Sequence, residues 1–391
     1  MSLLPSLFAN RQFQIIVIVQ MLMVFSNNLL NPVLPVHFQS IGLNESQIGF
    51  AMGIVSLGAL LLRPWSGMSA DVRGSRFTLL VGQFLMWTGF AAYLWVTGFW
   101  PLLFVRFYQG VAMSFYGTGA VTFASTVGTR ETATAAIAYF SLFTMIGLGA
   151  GTSAGPFLYQ AVGFTPLIAV SLTAAACAAA VTWFGTKPAP ARAGEGRAPF
   201  RAVLAAKIVL APSVCLFASN FTLGTMFTFV PLLALARGIG GYSVFFVSFS
   251  LAVVLARLGV RAVNDWFGPV KTSVGASILN AASALLLAAA PSPAVFAVAG
   301  VLVGFGFGTI YPTLAGYLVQ NVREANKGSA LSILSGAGDI GNALGASVLG
   351  VVAHAFGFTA VFSAAAAVIL VCAFYFHTAL VGPARTPTPS A

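Results

Sequence analysis

The sequence predicts an all-α membrane protein with about twelve transmembrane helices, arranged as two pseudo-symmetric six-helix halves. Charged residues make up 6% of the 391 positions, against about 25% in soluble domains. Apolar runs of about 18 to 25 residues recur along the chain, and each is long enough to cross about 30 Å of hydrocarbon as a helix. A pattern in the first half also returns 194 residues later. The matching residues are Arg63 with Arg257, Asp71 with Asp265, and Gly74 with Gly268.

Twelve apolar runs are expected to span the membrane. They lie near 13–38, 46–66, 77–97, 101–127, 134–161, 164–184, 206–234, 242–262, 270–290, 293–320, 328–353 and 357–380. Between the sixth and seventh runs, the stretch 185–205 is rich in Pro, Ala, Gly and Arg, which is typical of a linker. The predicted organisation is an N-terminal half (1–184), a linker (185–205) and a C-terminal half (206–391).

The net charge of +11 is distributed unevenly along the chain. Basic residues occupy every second connection between the runs, whereas the intervening connections contain only Arg237. By the positive-inside rule, this pattern predicts that both termini and the linker lie in the cytoplasm. The expected location is a bacterial cytoplasmic membrane, where lipids surround the protein, and the basic excess reflects topology rather than nucleic-acid binding.

Three short motifs resemble those of the major facilitator superfamily. The segment Gly67-Met-Ser-Ala-Asp71-Val-Arg73-Gly74-Ser-Arg76 resembles the loop between its helices two and three, and a degenerate copy lies at 261–271. Arg106-Phe-Tyr-Gln109-Gly110 resembles the helix-four motif of its proton-coupled members. The helix-five motif of its antiporters is matched in part by Gly147, Gly151, Gly155 and Pro156, but Tyr159 and Gln160 follow where that motif has glycines. The resemblance covers essentially the whole chain and is to the bacterial drug:proton antiporter branch.

The resemblance implies a major facilitator fold and a proton-coupled secondary active transporter. The implied activity is efflux, by antiport and alternating access, of a small amphipathic molecule, as in multidrug resistance. Two alternatives remain open: a proton symporter that imports a polar nutrient or metallophore and, in another class, a lipid flippase or non-transporting membrane receptor. The expected partners are a small-molecule substrate and protons, and the chain is expected to act as a monomer without a cofactor.

Charged residues and glycines near the ends of the second and eighth runs are expected to form a cytoplasmic gate. Contacts that form in one conformation and break in the other bias the equilibrium between outward-open and inward-open states. Ordinary anchoring of a loop is the alternative. The gate residues are Arg63, Gly67, Asp71, Arg73, Gly74, Arg76, Arg257, Asp265 and Gly268.

Asp339 is the one acidic residue expected near the middle of a span. An ionised carboxylate at the bilayer centre costs about 2.5 to 3.5 kcal/mol, so such a group normally faces a cavity or a partner. Because burial favours the neutral form of a carboxyl group, Asp339 is the predicted proton-coupling residue. The alternative role is a hydrogen bond that fixes helix packing.

Arg106 is expected to be the only basic residue well inside a span and to face the first run or Asp339. The first, fourth, seventh and tenth helices line the cavity in the resembled family. Polar and aromatic residues there and around Asp339 are therefore predicted to line a substrate cavity, with hydrogen bonding between helices as the alternative. They are Gln20, Asn27, Asn28, Asn31, Arg106, Gln109, Met113, Tyr116, Asn220, Tyr311, Ser335 and Asn342.

Two further features complete the prediction. Gly147, Gly151 and Gly155 share one helical face, which predicts close packing of helices, with a bend at Pro156. The three histidines are isolated and lack the spacing of zinc ligands, so neither a metal site nor an enzyme is expected.

The two halves are predicted to differ in their embedded charges. At the shift of 194 residues, Asp339 corresponds to Met145 and Arg106 corresponds to Gly300. Each of these charges therefore belongs to one half only, and the proton and substrate chemistry is expected where the symmetry breaks.

Overall fold

The computed structural model describes residues 10–126, 133–187, 206–323 and 326–381. In the first half, α1 comprises Arg11–Leu30 and, after a short turn, Leu34–Ser40. The other helices of this half are α2 (Glu45–Arg73), α3 (Ser75–Ala92, extended by the 3-10 helix Tyr93–Trp95), α4 (Phe99–Thr126), α5 (Ala133–Val162) and α6 (Phe164–Gly185).

The second half repeats this arrangement. It contains α7 (Lys207–Ala236), the pair α8 and α9 (Ser243–Ala289, divided at Gly268), α10 (Pro293–Asn321), and the pair α11 and α12 (Lys327–Val381, divided at Gly357). The described ranges therefore contain twelve crossing segments and are helical throughout apart from turns, which confirms the predicted fold class. The outward surface is apolar, as a membrane requires, with Phe104, Phe184 and Phe374 more than two-thirds exposed.

The internal repeat has a conformational cause at four glycines. Gly74 joins α2 to α3 and Gly268 joins α8 to α9, with φ of 87° and 76°. Gly163 and Gly357 join α5 to α6 and α11 to α12, with φ of 82° and 76°. A positive φ is open to glycine but costs about 1 to 2 kcal/mol for other residues. The repeated glycines are thus the points where one helix ends and the next begins without a longer loop.

The helix ends lie on two sides of the bundle. Gln12, at the start of α1, donates from Nε2 to the Gly185 carbonyl at 2.9 Å and accepts from the Lys187 amide at 3.0 Å. We call this the linker side. On the opposite or distal side, Arg237 donates to the carbonyls of Ala288 and Ala290 at 2.6 and 2.8 Å. Most of the predicted linker, 188–205, lies outside the described residues.

Helix α2 is longer toward the linker side than the sequence suggests. The predicted second run ends at 66, and the resembled loop begins at Gly67, but α2 remains helical to Arg73. Arg63 and Arg257 lie inside α2 and α8, so Arg106 is not the only basic residue inside a membrane-spanning helix. The reason is that nothing terminates α2 before Gly74, since only this residue adopts the conformation that ends the helix.

Candidate functional site between the two halves

Two pairs of helices form the largest contacts between the halves among the described residues, and the first pair is α2 with α11. A Cβ atom placed on Gly49 would lie 2.5 Å from the Ala346 carbonyl oxygen, and one on Gly53 would lie 2.5 Å from the Ala343 carbonyl oxygen. The absence of side chains at these glycines lets the two backbones approach closely. At the distal end of the same pair, His354 Nδ1 lies 3.4 Å from Glu45 Oε2.

The second pair, α5 with α8, is held by hydroxyl groups. The hydroxyls of Thr152 and Ser250 are 3.1 Å apart, and Ser250 also donates to the Gly149 carbonyl at 3.3 Å. A Cβ atom on Gly149 would lie 2.9 Å from the Ser250 Cβ. Close packing at a small residue therefore also occurs in this second contact between the halves.

An ion pair between the halves lies toward the linker side of these close contacts. Arg63 of α2 contacts the carboxylate of Asp339 of α11, and about one third of each side chain is exposed. Arg63 precedes the end of α2 by ten residues and Asp339 follows the start of α11 by twelve. At 1.5 Å per residue, both lie about 15 to 18 Å along their helices from the linker-side ends. The partner of Asp339 is therefore Arg63 rather than Arg106.

The contacts between the halves named above lie at this ion pair or on its distal side. The gate residues near the linker side contact their own half instead. Arg76 donates to the Trp183 carbonyl at 2.6 Å and to Thr186 Oγ1 at 3.0 Å, and Arg73 lies 5.2 Å from the centre of the Phe77 ring. Asp71 is exposed. This conformation is therefore closed on the distal side, without a latch from these residues.

The second copy of the gate motif is also separate from the first half. Asp265 lies 4.0 Å from Arg261 of the same helix, and both side chains are largely exposed. Gly67, in the first copy, has open space where a Cβ atom would be. Of the gate residues, Arg63 contacts the other half, whereas the contacts given for Arg73, Arg76 and Asp265 stay within their own half.

Arg106 is the centre of a buried network in the first half. It is 2% exposed, donates from Nε to the Ala51 carbonyl at 3.0 Å, and donates from Nη1 to Gln109 Oε1 at 2.9 Å. Tyr93 also donates to Gln109 Oε1, and Gln109 donates from Nε2 to Asn27 Oδ1 at 2.9 Å. Carbonyl and amide oxygens thus solvate the guanidinium, and the network ties α1, α2, α3 and α4 together.

A second buried network joins α1, α4 and α5. Tyr116 donates its hydroxyl to Gln20 Oε1 at 2.6 Å, and Gln20 donates from Nε2 to Thr144 Oγ1 at 2.9 Å. Two other members of the predicted cavity also bond within α1 and its turn, since Asn31 donates to Asn28 Oδ1 at 3.2 Å. These side chains hold helices together in this conformation.

The remaining predicted cavity residues are more accessible than those of the two buried networks. Asn220 donates to the Leu216 carbonyl at 3.1 Å within α7, and its amide nitrogen would lie 3.1 Å from a Cβ atom on Gly338. The others that are partly or largely exposed are Met113, Tyr311, Ser335 and Asn342.

The glycine stripe of α5 packs against α1. Cβ atoms on Gly147, Gly151 and Gly155 would lie 2.6, 2.6 and 2.1 Å from carbonyl oxygens of Met21, Phe25 and Leu29 respectively. Pro156 follows inside the same helix. The stripe therefore allows close packing within the first half, whereas the next helical face of α5 contacts α8.

Sequence reasoning missed the pairing of Arg63 with Asp339. Arg63 lies within the repeated motif and close to the predicted end of its run, so it was assigned to the gate. The available signal was that two opposite charges stand at similar depth in two apolar helices. Which helices face each other across the halves is a tertiary property that one sequence does not contain.

Comparison with known proteins assigns the family. A model of the Major Facilitator Superfamily matches residues 16–269 and 242–391. The staphylopine export protein of Staphylococcus aureus is 24% identical over 357 residues, which cover 86% of this chain and 88% of that protein. An uncharacterised MFS-type transporter of Burkholderia mallei is 29% identical over 341 residues, covering 83% of this chain and 81% of the relative.

Solved structures share the fold. The nucleoside transporter NupG has a TM-score of 0.72 at 13% identity, covering 95% of this chain and 99% of that one. A bacterial homologue of the human lysosomal transporter Spinster, in an inward-facing and unoccupied conformation, has a TM-score of 0.72 at 14% identity, covering 95% of each chain. The family model matches residues of both halves. The chain therefore belongs to the Major Facilitator Superfamily.

Proposed function

We propose that this membrane transporter exports a small amphipathic molecule in exchange for protons. Its linker side would face the cytoplasm of a bacterial cell, because the basic connections lie on that side. The conformation described above, closed on the distal side, would then be the inward-open state, which receives substrate from the cytoplasm.

The ion pair between Arg63 and Asp339 is the observation that carries the proton-coupling proposal. It joins the two halves within the membrane, and both partners are accessible enough to exchange with water. Protonation of Asp339 removes the negative charge and with it the attraction to Arg63. A proton at this one carboxylate would therefore weaken the contact between α2 and α11 that holds the halves together. Alternating access requires such a link between proton binding and the equilibrium of the two conformations.

Export rather than import is supported by one relative. The Staphylococcus aureus protein that matches 86% of this chain is named as an export protein. In an exporter, the inward-open state with its ion pair intact would load substrate, and a proton from outside would reach Asp339 after the halves reorient. Substrate release would follow protonation, and loss of the proton to the cytoplasm would restore the pair.

Everted membrane vesicles test this proposal, because their cytoplasmic face points outward. We expect an acid interior to drive accumulation of at least one amphipathic fluorophore from a panel of neutral, cationic and anionic probes. Asp339→Asn should abolish accumulation while the variant remains folded, as judged by its elution as a single species in detergent. A charge-matched control is Glu195→Gln, which removes an acid of the predicted linker.

The direction of flux separates the alternatives. Gradient-dependent uptake into right-side-out vesicles, with none into everted ones, would replace export by import. Accumulation that persists in Asp339→Asn would remove this residue from the coupling step. If no probe moved in either orientation, the transport proposal would fail in favour of a flippase or a receptor.

A further inference from the structure

The two contacts between the halves correspond to each other under the internal repeat. A shift of 194 residues relates α2 to α8 and α5 to α11, and it superposes Gly149 on Ala343 and Ser153 on Ser347. These residues lie where the halves touch, as described for Gly149 and Ala343 above. The same shift therefore predicts which residues should be opposite each other farther toward the linker side.

At that position the two contacts differ in charge. The α2–α11 contact has Arg63 paired with Asp339. The equivalent residues of the α5–α8 contact are Arg257 and Met145. Arg257 follows Ser250 by two helical turns, and Met145 precedes Gly149 by one, so both continue the faces on which α5 and α8 meet. The arginine is repeated, but the acid is not.

Arg257 has no acidic partner in the described part of the chain, although the phenol of Tyr311 lies near it. Its Nε atom is buried and makes no hydrogen bond, and no carboxylate lies within 4.0 Å of its guanidinium. Arg106, by contrast, donates to several oxygen atoms. A buried donor of a cationic side chain without an acceptor is costly, and proteins normally pair such charges. An anion beside the half-buried guanidinium would supply the missing acceptor.

We infer that Arg257 binds the anionic group of the substrate, and that this substrate is an amphipathic carboxylate. Its carboxylate would stand beside Arg257 as Asp339 stands beside Arg63, and its apolar part would contact Met145 and the nearby Tyr311 of α10. This inference rests on the proposed function, since it names the class of molecule that the transporter carries. It also accounts for the difference between the two contacts: the C-terminal half supplies an acid for Arg63, whereas no acid among the described residues pairs with Arg257.

Equilibrium binding to the purified full chain in phosphatidylcholine nanodiscs tests the inference. The probes are dansyl derivatives of phenylalanine, leucine and alanine, each as the free acid and as the uncharged methyl ester. We expect the wild-type protein to bind at least one acid about 30-fold more tightly than its ester, and Arg257→Gln to remove that preference while leaving ester binding unchanged. Arg257→Lys should retain part of it. The matched control Arg261→Gln, one turn farther along the same helix and exposed, should behave like the wild type.

A second variant keeps the inference testable if Arg257→Gln fails to fold. Met145→Asp introduces the acid that the repeat lacks, so it should pair with Arg257, stabilise the protein to heat and exclude the acid probes but not the esters. The inference is overturned if the esters bind as tightly as the acids, if Arg257→Gln binds the acids like the wild type, or if no acid binds below about 1 mM. Gradient-driven transport of a neutral probe that depends on Asp339, without any preference for acids, would remove the substrate class and leave the proposed function intact.

Discussion

Asp339→Asn should shift the protein away from the conformation that is closed on the distal side. In this conformation the Asp339 carboxylate contacts Arg63 across the halves, and about one third of each side chain is exposed. Two charges about 4 Å apart attract by about 4 kcal/mol at an effective dielectric constant of 20, before desolvation is subtracted. Exposed pairs contribute about 0 to 1 kcal/mol, and breaking buried pairs costs about 3 to 5 kcal/mol.

A pair of intermediate exposure should therefore contribute about 1 to 2 kcal/mol, which lies between those two limits. Such an energy changes the ratio of the two conformations by about 5- to 30-fold. Disulfide formation between Glu45→Cys and His354→Cys reports the distal-closed state. Glu45 belongs to the first half and His354 to the second, and the two side chains lie together in this conformation. The three native cysteines, Cys177, Cys215 and Cys372, would be replaced by serine in this background.

We expect Asp339→Asn and Arg63→Gln each to lower the fraction of the distal-closed state, and with it the cross-linking rate, by up to the factor given above. The charge-reversed double variant, Arg63→Asp with Asp339→Arg, should restore most of the rate because it rebuilds the pair. The reasoning is refuted if the single variants cross-link like the parent, which would mean that the pair persists in both conformations. It is also refuted if the double variant is no faster than the singles.

Three further predictions concern packing and the buried network. Gly53→Ala should reduce both transport and distal cross-linking, because its Cβ atom would overlap a hydroxyl and a carbonyl of α11, whereas Gly316→Ala, which meets open space, should change neither. Gln109→Leu should lower thermal stability by about 1 to 3 kcal/mol, because it removes the side-chain acceptor of buried Arg106; an unchanged melting temperature would contradict the structural role of this network. Gly268→Ala should cost about 1 to 2 kcal/mol in the same assay because its φ is 76°, and a neutral result would show that the turn relaxes.

Much of the fold could be predicted because its physical causes are local in the sequence. A scarcity of charge and repeated apolar runs require membrane helices. The shift of 194 residues pairs Gly74 with Gly268, and both have the positive φ that ends one helix and starts another. The ends of the runs were less predictable, because α2 continues for seven residues past its apolar part, to Arg73. Hydropathy identifies the segment that lies in the membrane, whereas the residue at which a helix ends depends on backbone conformation.

The candidate site was predictable in composition but not in pairing. The polar stripe of α1 and the arginine of α4 were identified, yet Asn27, Gln109 and Arg106 bond to one another and are nearly inaccessible in this conformation. Polar residues on apolar helices can serve helix packing or ligand binding. The spacing of these residues in the sequence is the same for both roles. The distinction depends on which acceptors the neighbouring helices provide.

The sequence by itself determined that this protein crosses the membrane about twelve times in two related halves, and that the related halves carry different embedded charges. Composition and periodicity suffice for this, since the hydrophobic effect and backbone hydrogen bonding act on each segment separately. Only the tertiary structure decided that Asp339 pairs with Arg63 while none of the described acids lies beside Arg257. Electrostatic pairing depends on distances between helices of opposite halves, and those distances are set by the packing of glycines and small residues where the halves meet.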